Sequence, residues 1–328
     1  MQTLTKDARI NLLFFAVSVA LAIHTVPYRI LGQCPGQDAP ENLVAGSATT
    51  PYQFRVLLPW IVRAGVATHL IEPSVVAERT AFGAIETVFL VLLAYVFRRY
   101  LALFIQDHVV ASIAALSIYA VLPFNYFNYV FYPYDIPAAL FFTLGLILLH
   151  RRNWALFYPV FIAATMNRET SIFLVAATVF VFFDSCSRRT LALLVSSQLL
   201  IWVAIKTGLW LLYGDNYGVG LFFCQLRVNV LTIVTFRIRA ISALSTWGWL
   251  WVAVVMGHRR IADPFLRRNL WLVPLFVVAM LIVGFVLEVR IYGDVLPIVL
   301  SASWVVLLDV LRTRPVPAPV ERSAVAGI

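Results

Sequence analysis

Three short stretches of this sequence set ionisable side chains directly against long apolar runs. A charge held at membrane depth is costly, so each is a functional hypothesis by default. The first is Asn167-Arg168-Glu169-Thr170. Glu169 has the chemistry of an acid, a base or a charge partner, and the planar fork of Arg168, with Asn167 beside it, suits a phosphate. The plainer alternative is a tight turn open to water, although such turns more often use Gly, Pro or Asp. The second is Tyr134-Asp135-Ile136-Pro137, at a predicted helix start. Asp135 is either a carboxylate favoured by the helix dipole or a catalytic base. It follows a stretch holding Asn125, Tyr126, Asn128, Tyr129 and Tyr132. Those side chains are either a surface for pyranose rings or the aromatic belt that collects at headgroup level.

The third stretch runs Glu288-Val289-Arg290-Ile291-Tyr292-Gly293-Asp294. In an extended turn, residues at i and i+2 point the same way. Glu288, Arg290, Tyr292 and Asp294 would then face one cavity, or they form a solvated hairpin tip with a weak ion pair. Arg55, Arg63, Arg227, Arg237 and Arg239 are read as headgroup anchors or as ligands for an anionic lipid phosphate. Glu86, inside an apolar run, is expected to be neutral and hydrogen-bonded or paired with an arginine.

The elements that must position these residues follow from composition. The chain has 328 residues, 62% of them apolar and 12% charged, and a mean hydropathy of +0.88. Soluble domains are about 45–50% apolar and about 25% charged. That balance excludes a water-facing globule, a disordered chain and a disulfide-stapled module. The net charge of +9 comes from 23 arginines and two lysines, Lys6 and Lys206. The arginines fall in pairs between apolar runs and make no long basic face, so no nucleic-acid partner is expected.

The expected fold is all-α, a polytopic transmembrane bundle of about ten spans. The runs are 11–26, 80–97, 109–122, 136–149, 154–166, 171–183, 190–213, 241–257, 270–287 and 291–308. With ten crossings, Arg98-Arg99, Arg151-Arg152, Arg188-Arg189, Arg259-Arg260 and Arg267-Arg268 all fall on one side, which the positive-inside rule makes cytosolic, with both termini. The three polar stretches then fall on the outer side. Residues 1–313 form a single transmembrane domain, and the Pro- and Ala-rich tail 314–328 reads as a disordered cytosolic end. In the outer loop 27–75, the part 31–50 reads as irregular, and 52–63 as a helix lying in the membrane interface, where arginine can snorkel. Cys34 and Cys224, both placed outside, are a candidate bridge.

Four segments carry a family resemblance: Tyr52-Gln53-Phe54-Arg55-Val56-Leu57-Leu58-Pro59, Tyr134-Asp135-Ile136-Pro137, Asn167-Arg168-Glu169-Thr170 and Glu288-Val289-Arg290-Ile291-Tyr292. They look like segments of bacterial polytopic membrane proteins, which in turn resemble the type C membrane glycosyltransferase superfamily. The resemblance implies a bacterial cytoplasmic-membrane protein that transfers sugar from a polyprenyl-phosphate carrier on the extracytoplasmic face. It also implies an acidic residue in the first outer loop and interface helices beside it. The superfamily's paired acidic motif after the first span is absent; Asp38 and Glu41 stand alone, and Asp135 or Glu169 would take the base's role.

The expected function is therefore a lipid-linked sugar transferase. Glu169, Asp135 and Asp38 are the candidate catalytic carboxylates. Arg168, Asn167, Arg290, Glu288, Tyr292, Arg55 and Tyr134 are the candidate substrate-binding residues. The expected partners are a lipid-linked sugar donor and membrane lipids. No cofactor is expected, a divalent metal is left open, and oligomeric state is not legible. The rivals are a transporter or flippase for an anionic lipid or small solute, and a non-catalytic membrane assembly subunit.

Overall fold

The computed structural model describes residues 5–30, 36–126, 131–220, 222–236, 241 and 243–313. Asn128, Tyr129, Arg237, Arg239, Cys34 with its candidate bridge to Cys224, and the tail 314–328 lie outside these residues. Among the described residues the regular structure is helical, with no strand beyond one isolated bridge between Thr50 and Gly218. Six helical segments are long and apolar enough to cross a membrane: Lys6–Ile30, Val75–Leu101, His108–Tyr126, Arg188–Tyr213, Pro264–Val283 and Val289–Arg312. This is the pattern of a multi-pass membrane protein. The other four apolar runs are also helical in part but shorter, over Asp135–His150, Trp154–Asn167, Glu169–Phe182 and Leu250–Gly257.

The α-helices are α1 (Lys6–Ile30), α2 (Pro40–Ala45), α3 (Leu57–Ala67), α4 (Val75–Leu101), α5 (His108–Tyr126), α6 (Asp135–His150) and α7 (Trp154–Asn167). They continue with α8 (Phe173–Phe182), α9 (Arg188–Tyr213), α10 (Leu226–Thr235), α11 (Leu250–Gly257), α12 (Pro264–Asn269), α13 (Leu272–Val283) and α14 (Leu296–Thr313). Local chemistry sets several starts. Ser74, Asn153, Ser187 and Asp263 each accept from a backbone N–H three residues on, as N-caps do. In α2, Pro40 opens the helix and Gly46 closes it at φ +82°, the usual Pro-first, Gly-after asymmetry. The part 31–50 is thus helical over Pro40–Ala45, where the sequence suggested irregular backbone.

Burial separates the helices. Thirteen of the sixteen residues of α6 are buried, and α6 packs on α4 and α7. A helix apolar all round belongs in the middle of a bundle, so α6 is the central post. In α9 only Gln198, Trp202, Lys206 and Leu209 are buried, a single stripe against α7 and α8. That helix is peripheral.

Antiparallel packing sorts charge to two ends. At one end Arg98 bonds to Asn11 (2.8 Å), Arg260 to Asp309 (3.0 Å) and Arg268 to Asp184 (3.1 Å). At the other end lie the C-terminus of α1, the N-termini of α4 and α6, and the corners 167–172 and 288–295.

Candidate functional site

Three connections build the site. Helix α7 stops at Asn167; Arg168 is extended (φ −161°), and a 3-10 turn over Glu169–Ile172 leads into α8. The Asn167 amide donates to Tyr134 O (2.9 Å), joining this corner to the start of α6. The backbone N–H of Val56 donates to Met166 O (2.9 Å), laying Arg55 beside Glu169. Asn125 anchors the third corner by donating to Val289 O (3.1 Å).

Asp135 sits at the centre with no solvent exposure. Its Oδ1 accepts from Arg290 Nη1 (2.9 Å) and Arg168 Nη1 (3.4 Å), and Arg29 Nη2 stands 4.0 Å from its Oδ2. Arg168 also reaches Asp294 (3.2 Å), whose other oxygen accepts from Thr170 Oγ1. Arg29 is paired with Glu86, both side chains 1% exposed. A second pair lies beside this group: Arg55 grips Glu169 through two bonds, Nε to Oε2 (3.1 Å) and Nη2 to Oε1 (2.5 Å). Lys206, buried on α9, donates to Phe54 O (3.4 Å) and adds positive charge near Glu169.

Among the described residues, this group therefore brings together five cations (Arg29, Arg55, Arg168, Lys206 and Arg290) and five carboxylates (Glu86, Asp135, Glu169, Glu288 and Asp294). The balance has a physical reason, since an uncompensated buried charge costs several kcal/mol, about 3–5 when one partner of a pair is removed. Only Glu169 and Glu288 are appreciably open, with side chains 28% and 27% exposed.

Tyr132 and Tyr134 stack in a ladder with Tyr52. Tyr52 and Tyr132 stack at 5.2 Å with planes 6° apart, and Tyr132 lies over Tyr134 at 5.3 Å. The Arg290 guanidinium lies 3.8 Å from the Tyr132 ring centre and Arg55 4.4 Å from that of Tyr134, within the range of cation–π attraction. Burial pushes the Tyr134 hydroxyl above its ordinary range, and Arg55 and Arg290 only partly offset this. Burial works against the charge on Arg55, but the Glu169 carboxylate and Tyr134 together outweigh it and hold the guanidinium above its ordinary value.

A cavity of about 210 Å³ opens beside this group, lined by Asn125, Tyr126, Phe285, Leu287, Glu288, Val289 and Arg290. Its floor is fixed by Asn125, whose amide donates to Thr246 Oγ1 (2.7 Å) and accepts from Trp247 N (3.1 Å). The Asn125 amide is thus spent on structure rather than left for a sugar hydroxyl.

The sequence-predicted residues divide as follows. Asp135, Arg168, Asn167, Tyr134, Glu288 and Arg290 converge, and Arg55 and Glu169 adjoin them. Arg55 is buried against Glu169 and does not snorkel toward headgroups. The segment 289–295 winds as a 3-10 helix instead of an extended turn. Winding carries Tyr292 off the line of Glu288 and Arg290; its ring packs on Trp247 and Phe276 (6.1 and 6.4 Å). Asp294 remains in the group. Asp38 accepts from Thr49 Oγ1 within its own loop, and no contact among the described residues links it to the arginines. Arg63 is spent on Val44 O (2.6 Å). Arg29 was not foreseen; the available signal was an arginine after Pro27 at the end of an apolar helix. Among the described residues no three His, Cys, Asp or Glu gather as a metal-ligand set. No family model, curated protein or solved structure matches this chain.

Proposed function

We propose that this protein is a membrane glycosyltransferase that moves a sugar from a polyprenyl-phosphate carrier to an acceptor on the extracytoplasmic face. The observation that supports it is the meeting of Arg290, Asp135, Arg168 and Glu288, from corners up to 155 residues apart, beside a cavity with a carboxylate, a guanidinium and an apolar wall. In this reading all ten apolar runs cross or enter the bilayer, and the short central helices are completed by the irregular corners that pack on them. The basic pairs and both termini are cytosolic, and α3 lies in the outer interface.

The donor's prenyl chain lies against lipid and its phosphate meets a guanidinium. Asp135 is enclosed by three guanidinium groups, so its part is to position them. Glu288, which reaches the cavity, takes the proton of the acceptor hydroxyl as that oxygen bonds to the sugar's anomeric carbon. The bond from that carbon to the phosphate oxygen breaks, and prenyl phosphate leaves with the electron pair. Neutralising the departing phosphate is the electrostatic task of the arginines.

The test uses the purified protein in vesicles with prenyl-monophosphate-linked hexoses and pentoses and a mixed acceptor pool. Release of free prenyl phosphate that depends on the protein, and is lost in Glu288→Gln, is the expected result. Sugar-lipid crossing the vesicle without release would make the protein a transporter. Neither outcome would favour the assembly subunit, a reading to which the closed five-to-five charge balance lends weight.

A further inference from the structure

We infer that Glu288 is a built-in occupant of a phosphate subsite, holding the cavity-side edge of Arg290 until a phosphoryl group displaces it. The inference rests on the proposed function in taking a phosphate-bearing ligand as the cavity's occupant.

The two arginine–glutamate pairs at the rim differ in grip. Glu169 meets Arg55 with both oxygens, the two-oxygen fork that makes such pairs strong and directional. Glu288 uses one oxygen, Oε1, for both Nε (2.9 Å) and Nη2 of Arg290. A single acceptor shared by two donors leaves that edge under-served, and a phosphoryl group can give each nitrogen its own oxygen. Arg290 need not move for the exchange. Its third nitrogen, Nη1, stays on Asp135 (2.9 Å), and its plane rests on Tyr132. By contrast, Arg168 is 2% exposed and its Nη1 is shared by Asp135 and Asp294, so Arg290 is the guanidinium in position to receive a ligand.

A second observation points to a ligand. Tyr126 lines the same cavity, is 4% exposed, and its hydroxyl has no hydrogen-bond partner among the described residues. A buried hydroxyl left unpaired is costly, so it has a donor to offer a phosphoryl oxygen that reaches it. The hydroxyl is seated against Gly293, where a Cβ would stand 1.8 Å from it. Phe285 and Leu287 supply an apolar wall suited to the first units of a prenyl chain. Displacement would also free Glu288 to act as the base.

Binding of geranylgeranyl phosphate, inorganic phosphate and neutral geranylgeraniol to the purified full-length protein in detergent tests this. Removing the competing charge in Glu288→Gln should tighten geranylgeranyl phosphate about tenfold, the order of one charge-assisted hydrogen bond. Geranylgeraniol should be unaffected, and Arg290→Gln should abolish phosphate-dependent binding. Tightening shared by inorganic phosphate would make the ligand a free anion, and tightening confined to the prenyl form a lipid headgroup. If Glu288→Gln does not fold, Glu288→Asp, too short to hold the edge, should tighten binding about threefold. Affinity unchanged or weakened in the folded variant overturns the exchange. Transfer activity without tightening would sink the exchange and leave the transferase standing; tightening without transfer would do the reverse.

Discussion

The two ends of this bundle use arginine in opposite ways. At the basic end the pairs are open to water: Arg260 and Asp309 are 48% and 41% exposed, and Arg268 and Asp184 are 36% and 67% exposed. Such pairs contribute about 0–1 kcal/mol each, so pairing at that end adds little to the stability of the fold. At the other end Arg29, Arg168 and Arg290 are buried around Asp135. There each charge depends on its neighbours, because removing one strands another out of water. The comparison teaches that the same residue type adds little to the fold where water is present and fixes tertiary structure where it is absent.

The strongest break of this contrast is Asp135→Ala. It leaves three guanidinium groups short of a counter-charge and should destabilise the protein by about 3–5 kcal/mol. Thermal unfolding in detergent checks it, and a midpoint within one or two degrees of wild type, about what ±0.5 kcal/mol gives, would show the cluster to be solvated.

Glu169→Gln comes next. It keeps the shape but turns a two-bond charged grip on Arg55 into a neutral one, with an expected loss of about 1.5–3 kcal/mol. Because Arg55 already holds this carboxylate, the loss should appear in unfolding as well as in transfer. Loss of transfer with no change in unfolding would restore Glu169 as the base.

Gly293→Ala sharpens the comparison within the buried end. Its methyl would drive the Tyr126 hydroxyl from its seat, at about 1–3 kcal/mol for overpacking. Geranylgeranyl phosphate binding should weaken, whereas Gly208→Ala, with open space at its Cβ, should leave binding unchanged. Equal behaviour of the two variants would remove Tyr126 from the site.

The smallest effect is expected at the basic end. Arg260→Ala should shift stability by under about 1 kcal/mol, and less at high salt. A loss comparable to that of Asp135→Ala would erase the distinction between the two ends.

The sequence by itself determined the class of the protein. Sustained apolar runs with few charges must be helical where water cannot satisfy the backbone, and all ten runs are helical over at least part of their length. It also marked the three corners, because a charge beside an apolar run is costly wherever the fold places it. The caps at Ser74, Asn153, Ser187 and Asp263 are equally local, each side chain accepting from a backbone N–H three residues on. Partners were not. Glu86 called for a hydrogen-bond partner or an arginine, but nothing near it in the chain names Arg29, 57 residues away. Arg290 finds Asp135 across 155 residues, and Arg55 finds Glu169 across 114. Even the i, i+2 spacing misled at Tyr292, since 3-10 winding, set by packing on Trp247 and Phe276, replaced the extended turn. Lys206, an ammonium inside an apolar helix, carried a signal, yet only the stripe by which α9 docks made it a neighbour of Glu169. Local propensity and hydropathy act within a turn or two of the chain, whereas charge pairing acts through space. Only the packing of helices around α6 decided which of the many arginines met which carboxylate.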